Sequence, residues 1–163
     1  MRLVWWTALS ACLLAGCATP TLSGLRAPGG QTPQTEWQGR LSVTVMGDPP
    51  TAMSARFLLR GDVNQGSLDL YSPLGTTVGA IQWSPQQVEL SDGKQRQSFK
   101  SLAELTEQIT GAALPMAAIF NWLQGENTPV SGWQTDLSGA QQGTLLARRT
   151  APTPEVTLRI KRD

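Results

Sequence analysis

The side chains best suited to chemistry are few. Cys12 and Cys17 are the two thiols, and the chain has no histidine. Without imidazole there is no Ser/His/Asp or Cys/His apparatus and no histidine-ligated metal. Glu104 and Glu107 lie three residues apart, but Glu104 fits a helix cap and neither has an evident basic partner. We therefore expect a binding protein rather than an enzyme, with no cofactor and no metal.

Cys17 follows a run with the marks of a secretory signal. Arg2 supplies a positive charge, residues 3–15 are apolar but too few to span a bilayer, and Ala15 and Gly16 precede the cysteine. The order Leu-Ala-Gly-Cys resembles the signal of bacterial lipoproteins. That resemblance implies cleavage before Cys17, lipidation of its thiol and acylation of the new amino group. An ordinary secretory signal cut nearby is the alternative.

Composition divides the chain into three segments. Residues 1–16 form the signal peptide, and residues 17–35 hold Cys17 and a stretch rich in proline and glycine without apolar periodicity. If flexible, this tether has a root-mean-square reach of about 25 Å. Residues 36–163 are expected to form one domain, long enough for a core of its own.

Position 18 and the charge balance bear on location and partners. Among lipoproteins of Gram-negative bacteria, an aspartate after the lipidated cysteine often retains the protein in the inner membrane; this chain has Ala18, which favours the outer membrane. Loss of Arg2 from the 13 basic residues leaves 12 against 12 acidic ones, so no basic excess points to nucleic acid. We expect a protein anchored by lipid on the periplasmic face of the outer membrane.

Strict alternation of apolar and polar residues predicts strands. The clearest runs are Trp37–Val45 and Met53–Leu59, which read as a hairpin around the turn cluster 47–50. Shorter strands are predicted at 68–70, 78–83, 88–90, near 99, near 133, at 144–147 and at 156–160.

Helical spacing appears in the middle of the chain. Ser101 with Glu104 forms a capping box, and Gly111 ends the helix that they begin. Pro115 opens a second helix that stops at Gly125. Strands, then short apolar helices, then strands suit a curved or partly closed antiparallel sheet with helices over one side.

Five short motifs occur in order along these elements. They are Trp37-Gln38-Gly39-Arg40-Leu41, Ala55-Arg56-Phe57, Ser72-Pro73-Leu74-Gly75, Leu114-Pro115 with Trp122-Leu123-Gln124-Gly125, and Gln141-Gln142-Gly143. Behind a lipoprotein signal they resemble the LolB family of outer-membrane lipoprotein receptors. The carboxyl end departs from that family: Thr144 stands where a tryptophan is usual, and residues 150–154 replace a longer stretch.

The resemblance implies a mainly β fold with α-helices: a single curved, incompletely closed antiparallel barrel covered by two or three short helices. It implies a receptor, expected to be a monomer, that accepts lipoproteins from a LolA-like periplasmic carrier. The acyl chains of these client lipoproteins would enter an apolar cavity and then pass into the lipid of the outer membrane.

Nine apolar residues of the predicted strands and helices are the expected lining of that cavity. They are Trp37, Leu41, Val43, Phe57, Leu59, Ile109, Leu114, Ile119 and Trp122. Periodicity alone cannot distinguish a hollow interior from a filled one, and the same residues would also make an ordinary packed core.

Leu74 occupies a turn rather than a core position. Pro73 suits the second position of a β-turn and Gly75 the fourth, which places Leu74 at the third, where a side chain points outward. No charge occurs from Leu70 to Val88, as a loop that enters hydrocarbon requires. In LolB-like proteins this leucine lies on a protruding loop that engages the membrane, and the resemblance assigns that role to Pro73, Leu74 and Gly75.

Two other functions remain open. A structural or assembly lipoprotein would have a filled core and bind another envelope protein through its surface. A cell-wall hydrolase would need a nucleophile with a base, or a metal site, for which the residue types are poor, although paired carboxylates alone can hydrolyse glycans.

Overall fold

The structure, a computed structural model, describes residues 35–163. The predicted signal peptide, Cys17 and the tether up to residue 34 lie outside the described residues. The described part belongs to one compact unit of nine strands and two α-helices, with a single-turn 3₁₀-helix at Ala140–Gln142. The strands are β1 (Glu36–Met46), β2 (Thr51–Gly61), β3 (Gly66–Tyr71), β4 (Thr77–Trp83), β5 (Val88–Ser91), β6 (Arg96–Phe99), β7 (Trp133–Asp136), β8 (Thr144–Arg149) and β9 (Glu155–Arg162).

All nine strands form one antiparallel sheet in the order β6-β5-β4-β3-β2-β1-β9-β8-β7. Strands β6 and β7 are its two edges and do not pair with each other, so the barrel is incompletely closed. Helices α1 (Leu102–Thr110) and α2 (Met116–Leu123) lie between β6 and β7 in the sequence and connect the two edges. The predicted fold class, an open curved sheet with helices, is confirmed.

The long strand β1 lies inside this sheet, paired with β2 on one side and β9 on the other. Its side chains alternate as the sequence predicts: Trp37, Val43 and Val45 are buried, whereas Gln38 and Arg40 are exposed. This alternation fixes the register, because a shift by one residue would turn the apolar set towards water.

Gly39 allows β1 and β9 to approach closely. Its φ is +155°, and a Cβ atom at this position would collide with the backbone oxygen of Lys161 on β9. The glycine of the Trp-Gln-Gly-Arg-Leu motif therefore serves the strand pairing.

Helix α1 begins and ends where the sequence predicts. The Ser101 hydroxyl accepts the Glu104 N–H at 3.1 Å, and the Glu104 carboxylate accepts the Lys100 N–H at 2.7 Å. Gly111 closes the helix with φ +82°. Helix α2 ends at Leu123 with Gln124 as its C-cap, and the predicted stop, Gly125, follows with φ +85°. Within residues 35–163, no helix is long and apolar enough to cross a membrane.

Candidate functional site

A cavity of about 90 Å³ lies between the inner face of the sheet and the two helices. The sheet contributes apolar side chains from five of its strands: Leu41, Val43, Met53, Phe57, Leu59, Leu68, Leu70, Ile81, Trp83, Leu158 and Ile160. The helical side contributes Leu102, Leu105, Thr106, Ile109, Thr110, Leu114, Met116, Ile119 and Leu123. No ionisable side chain borders this cavity.

Seven of the nine residues predicted to line an acyl cavity border this one: Leu41, Val43, Phe57, Leu59, Ile109, Leu114 and Ile119. Trp37 and Trp122 lie elsewhere in the core. Trp37 packs on Phe120, with ring centroids 5.8 Å apart, and Trp122 packs on Trp133 at 6.0 Å. The Trp122 indole N–H also donates to the backbone oxygen of Thr128 at 2.9 Å. Neither ring therefore borders the cavity.

The lining includes residues that the sequence reasoning did not single out. Leu68, Leu70, Ile81 and Trp83 come from β3 and β4, whose alternation is short and weak in the sequence. Trp83 is buried, and its indole N–H donates to the backbone oxygen of Asp62 at 2.8 Å, which fixes the ring. The period-two spacing of Leu68 with Leu70, and of Ile81 with Trp83, predicts their strands and inward faces but not that they border a cavity.

The two threonines of the lining do not make it polar. The Thr106 hydroxyl donates to the backbone oxygen of Ala103 and accepts the Leu114 N–H, both at 3.0 Å. The Thr110 hydroxyl donates to the backbone oxygen of Thr106 at 2.8 Å. Because both hydroxyls are satisfied by backbone groups, the cavity presents apolar surface.

The same threonines hold the segment between the two helices against α1. Thr106 holds the connector, residues 111–115, against α1 through the Leu114 N–H. Thr110 contacts the same connector through the backbone of Ala112. We call α1, the connector and α2 together the helical cover.

Leu74 is the most exposed large apolar residue of residues 35–163, with 94% of its surface accessible. It lies in a turn between β3 and β4 that is closed by the Gly75 N–H donating to the Ser72 oxygen at 2.9 Å. Gly75 has φ +83°. Leu74 therefore occupies the outward third position of this turn, as its neighbours Pro73 and Gly75 predict.

Two further exposed apolar side chains lie at the same end of the sheet as Leu74. Antiparallel pairing brings the β1–β2 and β3–β4 connections to one end. Met46, the last residue of β1, is 60% exposed, and Val78, near the start of β4, is 50% exposed. This end of the sheet therefore exposes several apolar side chains.

Shifted pKa values occur away from the cavity. A hydrogen bond of 2.7 Å to Glu36 raises the pKa of Arg60. Backbone N–H groups of Gln95 and Lys94 lower the pKa of Asp92. Among the described residues there is no cluster of three or more groups suited to hold a metal ion. The interior offers apolar burial and no acid–base chemistry.

These features define a β-sheet protein with a small apolar interior under a helical cover. Residues 33–156 match the family model of the outer membrane lipoprotein LolB, and the chain belongs to this family. The outer-membrane lipoprotein LolB of Bordetella petrii is 28% identical, with 98% of this chain and 92% of the relative covered. Proteins of the same description from Shewanella baltica and Shewanella woodyi are 30% and 32% identical over 72% and 74% of this chain.

The extent of these matches differs among the relatives. This chain spans nearly the whole Bordetella protein but 56% and 57% of the two Shewanella proteins. Family membership makes it a lipoprotein of the outer membrane, as the signal and Ala18 predict.

Proposed function

We propose that the protein is a receptor that takes lipoproteins from a LolA-like periplasmic carrier and inserts them into the outer membrane. In this proposal the client's acyl chains occupy the space between the sheet and the helical cover. The observation that carries the proposal is the wholly apolar surface of that cavity, built by both the sheet and the cover.

The energetics of the cargo demand such a surface. The acyl chains of a lipoprotein hold roughly 40 to 50 methylenes, and each contributes roughly 0.8 kcal/mol when it leaves water. Exposure of the whole cargo would cost tens of kcal/mol. A receiving site therefore needs apolar contact over a large area and no buried charge, because the chains must also leave.

The cavity is far smaller than this cargo. One water-sized group needs about 10 to 15 Å³. The cavity of about 90 Å³ thus accommodates fewer than ten such groups. Binding must enlarge it, and the helical cover is the part we expect to move away from the sheet. The hydrogen bonds of Thr106 and Thr110 with the connector favour movement of α1 and the connector together.

Release into the bilayer is the role we assign to Pro73, Leu74 and Gly75. A leucine at an uncharged turn can enter the boundary of the hydrocarbon without burying a charge. Met46 and Val78 at the same end add apolar surface beside it.

Acceptance of a labelled lipoprotein tests the proposal directly. A carrier loaded with labelled client is mixed with this protein, and the label that co-purifies with each partner is measured. Ile109, on the cavity side of α1, is changed to Glu, while Gln108→Glu puts the same charge at the exposed neighbouring position.

We expect Ile109→Glu to reduce acceptance strongly and Gln108→Glu to leave it unchanged. Thermal unfolding of both variants distinguishes lost binding from lost folding, and Ile109→Asn supplies a milder polar change if the Glu variant unfolds. Equal acceptance by folded Ile109 variants and the Gln108 variant would reject the interior as the cargo site.

The small volume of the cavity favours a second candidate, an assembly lipoprotein with an almost filled core. That protein would bind another envelope protein through its surface and would not accept acyl chains. This second candidate function therefore predicts that no label passes to the unaltered protein under conditions in which the carrier releases its client.

A further inference from the structure

The outer face of the sheet carries five exposed basic side chains on four adjacent strands. We call this set the basic face: Arg40 on β1, Arg56 on β2, Arg148 on β8, and Arg159 and Lys161 on β9. These residues alternate with buried residues of the same strands and lie on the side away from the cavity. Eight of the eleven basic residues between 36 and 163 belong to these four strands.

Packing and edge protection do not account for the basic face. Arg40 lies directly opposite Arg56 on β2 and directly opposite Lys161 on β9. Like charges at such positions destabilise a sheet. Strand β9 is inside the sheet, between β1 and β8, so its charges do not protect an edge from aggregation.

Acidic side chains neutralise little of this face. Arg56 has one distant contact, 3.9 Å from Asp163. Among residues 35–163, no carboxylate lies within 4 Å of the charged groups of Arg40, Arg148, Arg159 or Lys161. Lys161 donates to the Gln142 oxygen at 2.6 Å, which holds the ammonium group in place while its charge remains.

An open groove of about 410 Å³ lies within the basic face. Arg40, Arg159 and Lys161 border it, together with Ser42, which lies opposite Arg159 on β9, and Ser54, which lies opposite Ser42 on β2. Asp136 stands at its far side, across β8 from Arg159. Hydrogen bonds from Ser138 lower the pKa of Asp136, so this carboxylate stays ionised and is one negative charge against the three cations. Three cations with small hydroxylated neighbours form a concave site for a phosphate-bearing group.

We propose that the basic face binds the anionic lipid headgroups of the membrane in which the protein is anchored. The domain then lies with the outer side of its sheet on the bilayer and its cavity turned away from that contact. The proposal uses the outer-membrane location of the family and does not depend on acceptance of lipoproteins.

The position of the tether supports the membrane as the partner. Strand β1 begins at Glu36, four residues before Arg40, so the segment from Cys17 joins the sheet close to the basic face. The predicted lipidation site, Cys17, lies 19 residues before Glu36, and anchoring there would keep this face at high effective concentration near the headgroups.

Partitioning onto vesicles tests the proposal. The chain from Ala18 contains the whole compact unit but not the lipid-modified residue, so its binding reports the face itself. It is mixed with vesicles of phosphatidylcholine alone or of an equimolar mixture with phosphatidylglycerol, and bound protein is measured by flotation. Ionic strength is set at about 0.05 M and then at about 0.5 M, where charges are strongly screened.

The variant Arg40→Gln/Arg159→Gln/Lys161→Gln removes three charges from the groove. Lys94→Gln/Arg96→Gln/Lys100→Gln removes three exposed charges from the other half of the molecule and is the matched control. Each basic residue near an anionic surface changes binding about fivefold, so the groove variant should bind the mixed vesicles about 100-fold more weakly. The control and the conservative variant Arg40→Lys/Arg159→Lys should bind as the unaltered protein does.

Binding of the unaltered protein to vesicles should require phosphatidylglycerol and should fall at high ionic strength. Equal loss in the groove variant and the control would overturn the proposal, because it would indicate net charge alone. Unchanged vesicle binding of a folded groove variant would also overturn it. If that variant instead lost only its association with the carrier, the basic face would be a protein-binding surface.

Discussion

The Arg162 guanidinium donates a hydrogen bond of 3.0 Å to the backbone oxygen of Leu123, the last residue of α2. Arg162 ends β9, so this contact ties an inner strand of the sheet to the end of the helical cover. The same guanidinium donates to the Ala140 oxygen at 2.7 Å. A cation at the carboxyl end of a helix also complements the partial negative charge there.

Replacement of Arg162 by Met should lower the free energy of unfolding by about 1 to 3 kcal/mol, because both charged hydrogen bonds are lost while the aliphatic stem is kept. Arg159→Met, on the outer face of the same strand, should change it by less than about 0.5 kcal/mol. Urea unfolding followed by tryptophan fluorescence measures both. Similar values for the two variants would show that the contact with Leu123 contributes nothing to stability.

Val43 and Val156 both face inward, but only Val43 borders the cavity. Val43→Ile adds one methylene to unfilled space and should raise the free energy of unfolding by about 0.8 kcal/mol. Val156→Ile adds the same group at a fully buried position outside the cavity lining and should lower it by about 1 to 3 kcal/mol. Chemical denaturation should show changes of opposite sign in the free energy of unfolding. Destabilisation by both substitutions would mean that the space beside Val43 does not accommodate a methylene group.

Local patterns predicted the elements well because each depends on neighbours in the sequence. The alternation from Trp37 to Val45 sets β1, Ser101 with Glu104 sets the start of α1, and the turn around Leu74 follows from Pro73 and Gly75. Gly111 and Gly125, both with positive φ, follow the ends of α1 and α2 as their places in the sequence predict.

Long-range placement could not be predicted from the same patterns. Nothing in the sequence near β9 indicates that it lies between β1 and β8 rather than at an edge. Trp37 and Trp122 fit the apolar periodicity but pack on other aromatic rings. Periodicity indicates that a side chain is buried, but not whether it meets another ring or a void. The volume of the cavity depends on how twenty side chains from seven elements and the helix connector fit together.

Leu74→Glu should leave folding and acceptance of a lipoprotein intact but reduce delivery to liposomes. A charge at this turn opposes entry into hydrocarbon by a few kcal/mol, which corresponds to a loss of about 100-fold in membrane-engaged protein. Val63→Glu is the matched control, because Val63 is also an exposed apolar loop residue but lies at the opposite end of the sheet. Transfer of labelled lipoprotein from carrier to liposomes is the measurement. Normal delivery by Leu74→Glu, or equal impairment by Val63→Glu, would remove the assigned role of this turn.

Trp83 should report the arrival of an acyl chain, because it is the one tryptophan bordering the cavity within the described residues. A fatty acid brominated at its methyl end quenches tryptophan only at short range. Binding of this probe should quench part of the fluorescence of the unaltered protein and of Trp122→Phe, whose altered ring lies outside the lining. Trp83→Phe should show much less quenching although it still binds the probe. Competition with unbrominated fatty acid can verify that binding. Full quenching in Trp83→Phe would place the probe elsewhere, and absence of binding to the unaltered protein would favour a filled core that stays closed.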